Sequence, residues 1–102
     1  MNKEETLFHA ICKKLKDAEQ GQLFGKLCYK TNGKAFVCFF KNAMVFKLSG
    51  DIHTEAMNLK GSQLFDPSGK RRPMKEWVQI TFEHQEKWIK YASEALKYVN
   101  SK

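Results

Sequence analysis

The sequence predicts a single α+β domain in which helices at both ends of the chain pack on a mostly antiparallel sheet. Asn32-Gly33 separates two runs of apolar and aromatic residues, the strongest short-range signal of a hairpin. Near both ends of the chain, apolar residues recur at spacings of three and four, as in amphipathic helices. A chain of 102 residues has the size of one domain. The predicted order of elements over residues 1–102 is therefore α-βββ-α-ββ-α.

The first helix is predicted over residues 3–19. Its apolar positions form one stripe: Leu7, Phe8, Ile11, Cys12, Leu15 and Ala18. Gly21 follows the stripe and is predicted to end the helix, because glycine is common just after a helix C-terminus.

Three strands are predicted within residues 26–48. Two-residue turns at Asn32-Gly33 and Lys41-Asn42 would place Tyr29 opposite Phe36. Since side chains alternate along a strand, this register defines two sheet faces. One face would carry Leu27, Tyr29, Phe36, Cys38, Phe40 and Val45, and the other would carry Cys28, Ala35, Val37, Phe39, Met44, Phe46 and Leu48. Both faces are apolar, so we expect a helix, a long loop or a second subunit to cover the second one.

The rest of the chain reads as a short helix, two strands and a long last helix. Asp51 is a suitable N-cap for a helix at 52–59, which Gly61 would end. Strands are predicted at 63–66 and 77–81, with a loop between them. The last helix is predicted at 83–100, with its buried stripe formed by Trp88, Ile89, Ala92, Ala95, Leu96 and Val99.

The chain is strongly basic, with a formal net charge of +7. Such a charge favours association with nucleic acid, an anionic membrane surface or acidic proteins. Sixteen of the eighteen basic residues are lysine, which argues against bidentate recognition of phosphate by arginine. The segment 26–47 holds five lysines and no acidic residue. The alternative interpretation is a lysine-rich, solvated surface.

A basic segment before the fifth predicted strand is the candidate functional surface. Lys70, Arg71, Arg72 and Lys75 stand close to Trp77, and cations beside an aromatic ring suit phosphate contact with stacking. We predict an anion or nucleic-acid contact at these four residues. The alternative is a solvated loop with Trp77 packed in the core.

No catalytic, metal or cofactor constellation is visible. The three cysteines, Cys12, Cys28 and Cys38, form no C-x-x-C pair, and the predicted register puts Cys28 and Cys38 on opposite faces. We therefore expect reduced, buried thiols and neither disulfide nor metal. The sequence shows no secretory leader and no membrane span, so a cytoplasmic protein without cofactor is predicted.

Several short motifs between the first strand and the last helix carry a family resemblance. They are Phe24-Gly25, Tyr29 ahead of Asn32-Gly33-Lys34, Phe36, Lys47, Gly61 followed by Phe65, and Met74-Lys75-Glu76-Trp77. Together they resemble the N-terminal domain family of TfoX, the competence regulator, and more distantly YjbR-type proteins. The resemblance implies an antiparallel α+β domain without defined enzymatic activity. The chain departs from it at Lys26 and Cys28, where the family has more glycine, and at Thr81, where proline often opens the last helix.

These observations favour a small non-catalytic interaction or regulatory module with an unidentified protein partner. A nucleic-acid-associated protein using residues 70–75 is the alternative, and a small cysteine-dependent enzyme or redox protein is a third hypothesis. A homodimer is also predicted as a hypothesis, through a face that includes Tyr29, Phe36 and Phe40.

Overall fold

A computed structural model describes residues 2–23, 25–66 and 74–101, and it confirms the α+β class. The elements in chain order are α1 (Lys3–Lys13), β1 (Glu19–Leu23), β2 (Lys26–Thr31), β3 (Lys34–Phe40), β4 (Ala43–Lys47), α2 (Gly50–Met57), β5 (Gln63–Phe65), β6 (Met74–Ile80), a 3-10 helix (Phe82–Lys87) and α3 (Trp88–Asn100). The strands form one sheet in the order β1-β2-β3-β4-β6-β5, and every neighbouring pair is antiparallel.

The first helix is shorter than predicted, and a turn at residues 14–18 followed by a strand takes the place of its end. α1 ends at Lys13, and Asp17 has a φ of 67° in the turn that follows. Gly21 does not end a helix, because it lies within β1 opposite Cys28. The apolar spacing continues past α1 since Leu15 and Ala18 also pack against the core. Polar β1 has weak strand propensity, and its pairing with β2 determines its structure.

Both two-residue turns of the predicted hairpins are present. Asn32 and Gly33 have φ values of 52° and 78°, and Lys41 and Asn42 have values of 49° and 62°. Positive φ at both central residues is the signature of the turn that matches the twist of antiparallel strands. The flanking pairs, Thr31 with Lys34 and Phe40 with Ala43, agree with this geometry.

The register beyond the first turn differs from the prediction by one residue. Lys30 pairs with Ala35, but Tyr29 pairs with Val37, so Phe36 is an extra residue in β3. Phe36 and Val37 both pack into the core under the helices. A bulge of this kind shifts the alternation of all later residues in the strand. The predicted faces are therefore wrong, and Cys28 lies directly opposite Cys38 on the same face.

The helices all pack on one face of the sheet, here called the helix face. Phe8 of α1 is fully buried, with its ring edge-on to Tyr29 at 5.4 Å between centroids. From α3, the buried residues are Trp88, Tyr91, Ala92, Ala95 and Val99. Ile89 was predicted in this stripe, but it is 57% exposed, and Tyr91 occupies the buried position instead. The last predicted helix is divided, since a 3-10 segment precedes α3 and His84 within it is non-helical.

The short helix also belongs to the helix face. It begins at Gly50 with Ser49 as its N-cap residue, not with Asp51 as predicted. Ala56 is buried in the main core, and the carboxylate of Glu55 joins α2 to α3. Tyr91 donates a hydrogen bond to Glu55 Oε2 at 2.6 Å, and Lys90 Nζ donates to the same oxygen at 2.9 Å.

The opposite face, here called the second face, carries a smaller apolar cluster. Its buried members are Cys28, Cys38, Val45, Phe65 and Trp77, with Leu23, Ala35, Phe40 and Met74 packed around them. None of the described helices contributes to this cluster. The five buried residues are at most 5% exposed within a single chain, so a second subunit is not needed to cover them.

Candidate functional site

Lysines gather at the edges of the second face. Side-chain alternation places Lys26, Lys30 and Lys47 on the same side as the buried Cys28 and Trp77. We call this surface the basic face. It consists of Lys26, Lys41 and Lys47, which lie over the rings of Phe40 and Trp77, and of Lys30, which lies across Gly21.

Three of the four lysines of the basic face place their ammonium groups over aromatic rings. The Nζ atoms of Lys26 and Lys41 lie 5.1 Å and 5.4 Å from the ring centroid of Phe40. Lys47 Nζ lies 6.0 Å from the Trp77 ring. Each such contact stabilises by about 0.5–1 kcal/mol at an exposed site. Phe40 is itself packed edge-on against Phe65, so the ring beneath Lys26 and Lys41 is anchored in the cluster of the second face.

Gly21 on the neighbouring strand β1 has no side chain, which leaves room for the side chain of Lys30. A Cβ atom added to Gly21 would lie 3.2 Å from Lys30 Cε and 3.4 Å from its Cδ. The aliphatic part of Lys30 therefore lies across the glycine of β1. The adjacent pair on this edge is Glu19 with Lys30, which places an acidic residue beside the basic face.

Charge is distributed unequally between the two layers of the molecule. The helices contain seven of the eleven acidic residues together with five lysines. Strands β2 to β4 and their turns contain five lysines and no acidic residue. The positive net charge is therefore concentrated on strands β2 to β4 and their turns, and a surface with net positive charge raises the local concentration of anionic partners.

A cavity of about 430 Å³ lies at one end of this surface. Leu23, Ala35, Met74 and Trp77 supply apolar walls together with Val99 of α3, and Lys34 and Lys47 line the same cavity. The volume falls within the range of about 300–1,000 Å³ that is usual for small-molecule sites. A second, apolar cavity of about 270 Å³ lies between α1 and α3, where Leu7, Ile11 and the exposed Ile89 line it.

The candidate residues from the basic segment are only partly described. Lys70, Arg71 and Arg72 lie outside the described residues. Lys75 is exposed near the start of β6, where His53 Nε2 donates to its carbonyl oxygen at 2.8 Å. Trp77 is 5% exposed, which confirms the interpretation of this residue as part of the core.

The predicted partner face at Tyr29, Phe36 and Phe40 is not one surface. Tyr29 and Phe36 are buried under the helices, while Phe40 is half-buried on the basic face. The Tyr29 hydroxyl also shares a hydrogen bond of 2.9 Å with His9 Nδ1. The bulge at Phe36 explains the error, because it separates residues that strict alternation would have placed together.

The environments of the three cysteine thiols disfavour nucleophilic chemistry. Cys12, Cys28 and Cys38 are free and fully buried. Burial raises the pKa of all three thiols, and it raises that of Cys38 to about 12. A nucleophilic cysteine needs a lowered pKa and access to substrate. Within the described ranges, no three His, Cys, Asp or Glu side chains come together in a way that could hold a metal ion.

The sequence contained one signal for the basic face, the alternation of lysines in β2, but the wrong register predicted for β3 obscured it. Lys26, Cys28 and Lys30 alternate along β2, so these lysines share a face with whichever core contains Cys28. The wrong register in β3 assigned Cys38 to the other face and hid the relation between the two lysines and the second cluster.

The comparisons with known proteins gave no match. No family model matches the chain, and neither curated proteins nor solved structures match it. In the part of the chain that the structure describes, no helix has the length and apolar character needed to cross a membrane.

Proposed function

We propose that this chain is a non-catalytic binding module whose basic face binds single-stranded nucleic acid. The observation that carries the proposal is the placement of three lysines over two aromatic rings, with a fourth lysine beside them, on the sheet face to which none of the described helices contributes its cluster residues. Proteins that bind single strands without sequence preference combine a positively charged surface with aromatic side chains. Here the lysines lie beside Phe40, which is half-buried, and Phe40 is therefore the ring that a base can reach, since Trp77 is 5% exposed.

Lysine chemistry favours backbone contact over base recognition. The ammonium group acts as a point charge on phosphate, whereas arginine supplies a planar fork for bidentate hydrogen bonds. All four cations of the basic face are lysine. We therefore expect binding that depends strongly on salt and weakly on sequence.

The regulatory module and the nucleic-acid-associated protein predicted from the sequence become one hypothesis in this proposal. Membership of the TfoX N-terminal domain family and a cytoplasmic location remain predictions. The antiparallel α+β fold agrees with what that resemblance implies. The buried thiols with raised pKa values argue against the cysteine-dependent enzyme.

Fluorescence anisotropy with a labelled oligothymidylate over a series of salt concentrations tests the proposal. The logarithm of the association constant should fall with the logarithm of salt concentration, with a slope of about 0.7 for each phosphate contacted. Replacing Lys26, Lys30, Lys41 and Lys47 by Gln should weaken binding and flatten the slope. A matched control replaces four exposed lysines away from this face by Gln: Lys13, Lys16, Lys60 and Lys87.

The control separates a located site from a general effect of net charge, since both variants lose four positive charges. Equal loss of binding in the two variants would contradict the proposal, as would the absence of binding by the unaltered chain at low salt. A third variant, with Lys70, Arg71, Arg72 and Lys75 replaced by Ala, measures the contribution predicted for the basic segment.

A further inference from the structure

The cavity at the end of the basic face differs from the rest of that surface. The cavity combines apolar walls with two lysines that line it. On the rest of the basic face, by contrast, Lys26 and Lys41 lie over the ring of Phe40. Leu23, Ala35 and Met74 come from three different strands and Val99 comes from α3, so the cavity lies where the sheet meets the end of the last helix. Sites on strands hold their side chains more precisely than sites on loops.

Ligand chemistry follows from these walls. An apolar or flat body gains from leaving water among Leu23, Ala35 and Met74, because the hydrophobic effect rewards removal of apolar surface from water. Lys34 and Lys47 add two positive charges in the same cavity, which favour an anionic group on the same ligand. A nucleotide has both parts, a flat base and a phosphate.

We propose that this cavity is a nucleotide subsite, which holds one unstacked base of a bound strand between its apolar walls and the adjoining phosphate at Lys34 and Lys47. The inference rests on the proposed binding of single strands and gives that binding a location. Trp77 forms one wall and lies under Lys47, so its fluorescence reports on occupancy.

The chain offers a clean optical probe for this subsite. Its two tryptophans are Trp77 and the fully buried Trp88 on the helix face. The indole nitrogen of Trp88 has no hydrogen-bond partner among the described residues, so Trp88→Phe removes no hydrogen bond. That variant leaves Trp77 as the single tryptophan, and every titration is performed both in this background and in the unaltered chain, where the fully buried Trp88 lies away from the cavity.

Titration with AMP should give a saturable change in Trp77 fluorescence. Inorganic phosphate alone and adenosine alone should each bind about tenfold more weakly, because each supplies only one of the two interactions. Replacing Lys34 and Lys47 together by Gln should weaken AMP binding by about tenfold. The matched control replaces Lys13 and Lys60 by Gln, which removes the same charge at exposed positions away from the cavity and the basic face and should leave AMP affinity unchanged.

A second variant tests the apolar part of the subsite. Ala35→Leu fills the cavity, and it should abolish the response to AMP while oligothymidylate still binds in the anisotropy assay. Should that variant fail to fold, the pair of charge variants decides alone. The inference is overturned if AMP gives no saturable response, if phosphate binds as tightly as AMP, or if both charge variants lose AMP equally. Oligothymidylate binding in the unaltered chain separates these failures from a failure of the proposed function.

Discussion

Gly33 shows how much of the fold depends on one residue. Its φ of +78° is in the region that side chains with a Cβ rarely adopt, and an added Cβ would have no atom within 4 Å. A substitution at this position therefore changes backbone strain alone, without a steric clash. Glycine is the residue that adopts this conformation without a cost in energy.

Gly33→Val should destabilise the fold by about 1–3 kcal/mol, because a β-branched residue is strained at positive φ. Gly33→Asn is the matched control and should cost less, since asparagine tolerates this region. Urea denaturation followed by circular dichroism measures both. Equal stability of the Val variant and the unaltered chain would show that the turn at Asn32-Gly33 does not have this geometry.

Glu55 links two helices and makes stability depend on pH. The hydrogen bonds from Tyr91 and Lys90 lower the pKa of this carboxyl below its usual value of 4.5. A carboxyl with a lowered pKa in the folded state binds protons more weakly there than in the unfolded state. Its contribution is complete above the usual value and is lost as the pH falls through the lowered pKa.

Glu55→Gln should therefore lose stability at neutral pH and show a smaller further loss on acidification than the unaltered chain. Urea denaturation at neutral and at acidic pH measures the difference. Glu86→Gln, at an exposed carboxylate on the 3-10 helix, is the control and should keep the original pH dependence. An unchanged pH dependence in the Glu55 variant would contradict the role assigned to this carboxylate.

Among the elements, the two-residue turns were predictable from local sequence, whereas the bulge in β3 and the strand β1 depend on contacts with distant parts of the chain. Both two-residue turns follow from residues that favour positive φ or tolerate it, so their positions could be read directly. The bulge at Phe36 could not, because the extra residue is accommodated by packing under the helices. β1 also escaped prediction, since its polar sequence becomes a strand only through pairing with β2.

Helix α1 is attached to the sheet chiefly through Phe8. This side chain is fully buried and packs against Tyr29 and Phe39, with ring centroids 5.4 Å and 5.2 Å away. Phe8→Ala should destabilise the fold by about 3–5 kcal/mol through lost burial and the remaining cavity. Ile89→Ala, at a residue 57% exposed, should change stability by no more than about 0.5 kcal/mol. Thermal and urea unfolding of the two variants give the comparison, and similar losses would show that the helix layer packs differently.

At the scale of the whole molecule, the net charge could be predicted from the sequence, but the surface on which the positive charges lie could not. The net charge and the five lysines of residues 26–47 are plain in the sequence. The position of four of them, all but Lys34, on the face opposite the described helices follows from the true register, which the bulge determines. The candidate residues of the basic segment were chosen because they are close together in the sequence, whereas the lysines of the basic face are brought together by two strands and a turn.

Backbone amide and indole NMR spectra, recorded during titration with an oligothymidylate, test the location of binding most directly. The account predicts that shifts change for the amides of β2 to β4 and for the indole of Trp77. The amides along α1 and the exposed side of α3 near Ile89 should stay unchanged. Changes confined to the α1 and α3 surface, with none on the basic face, would contradict the central claim.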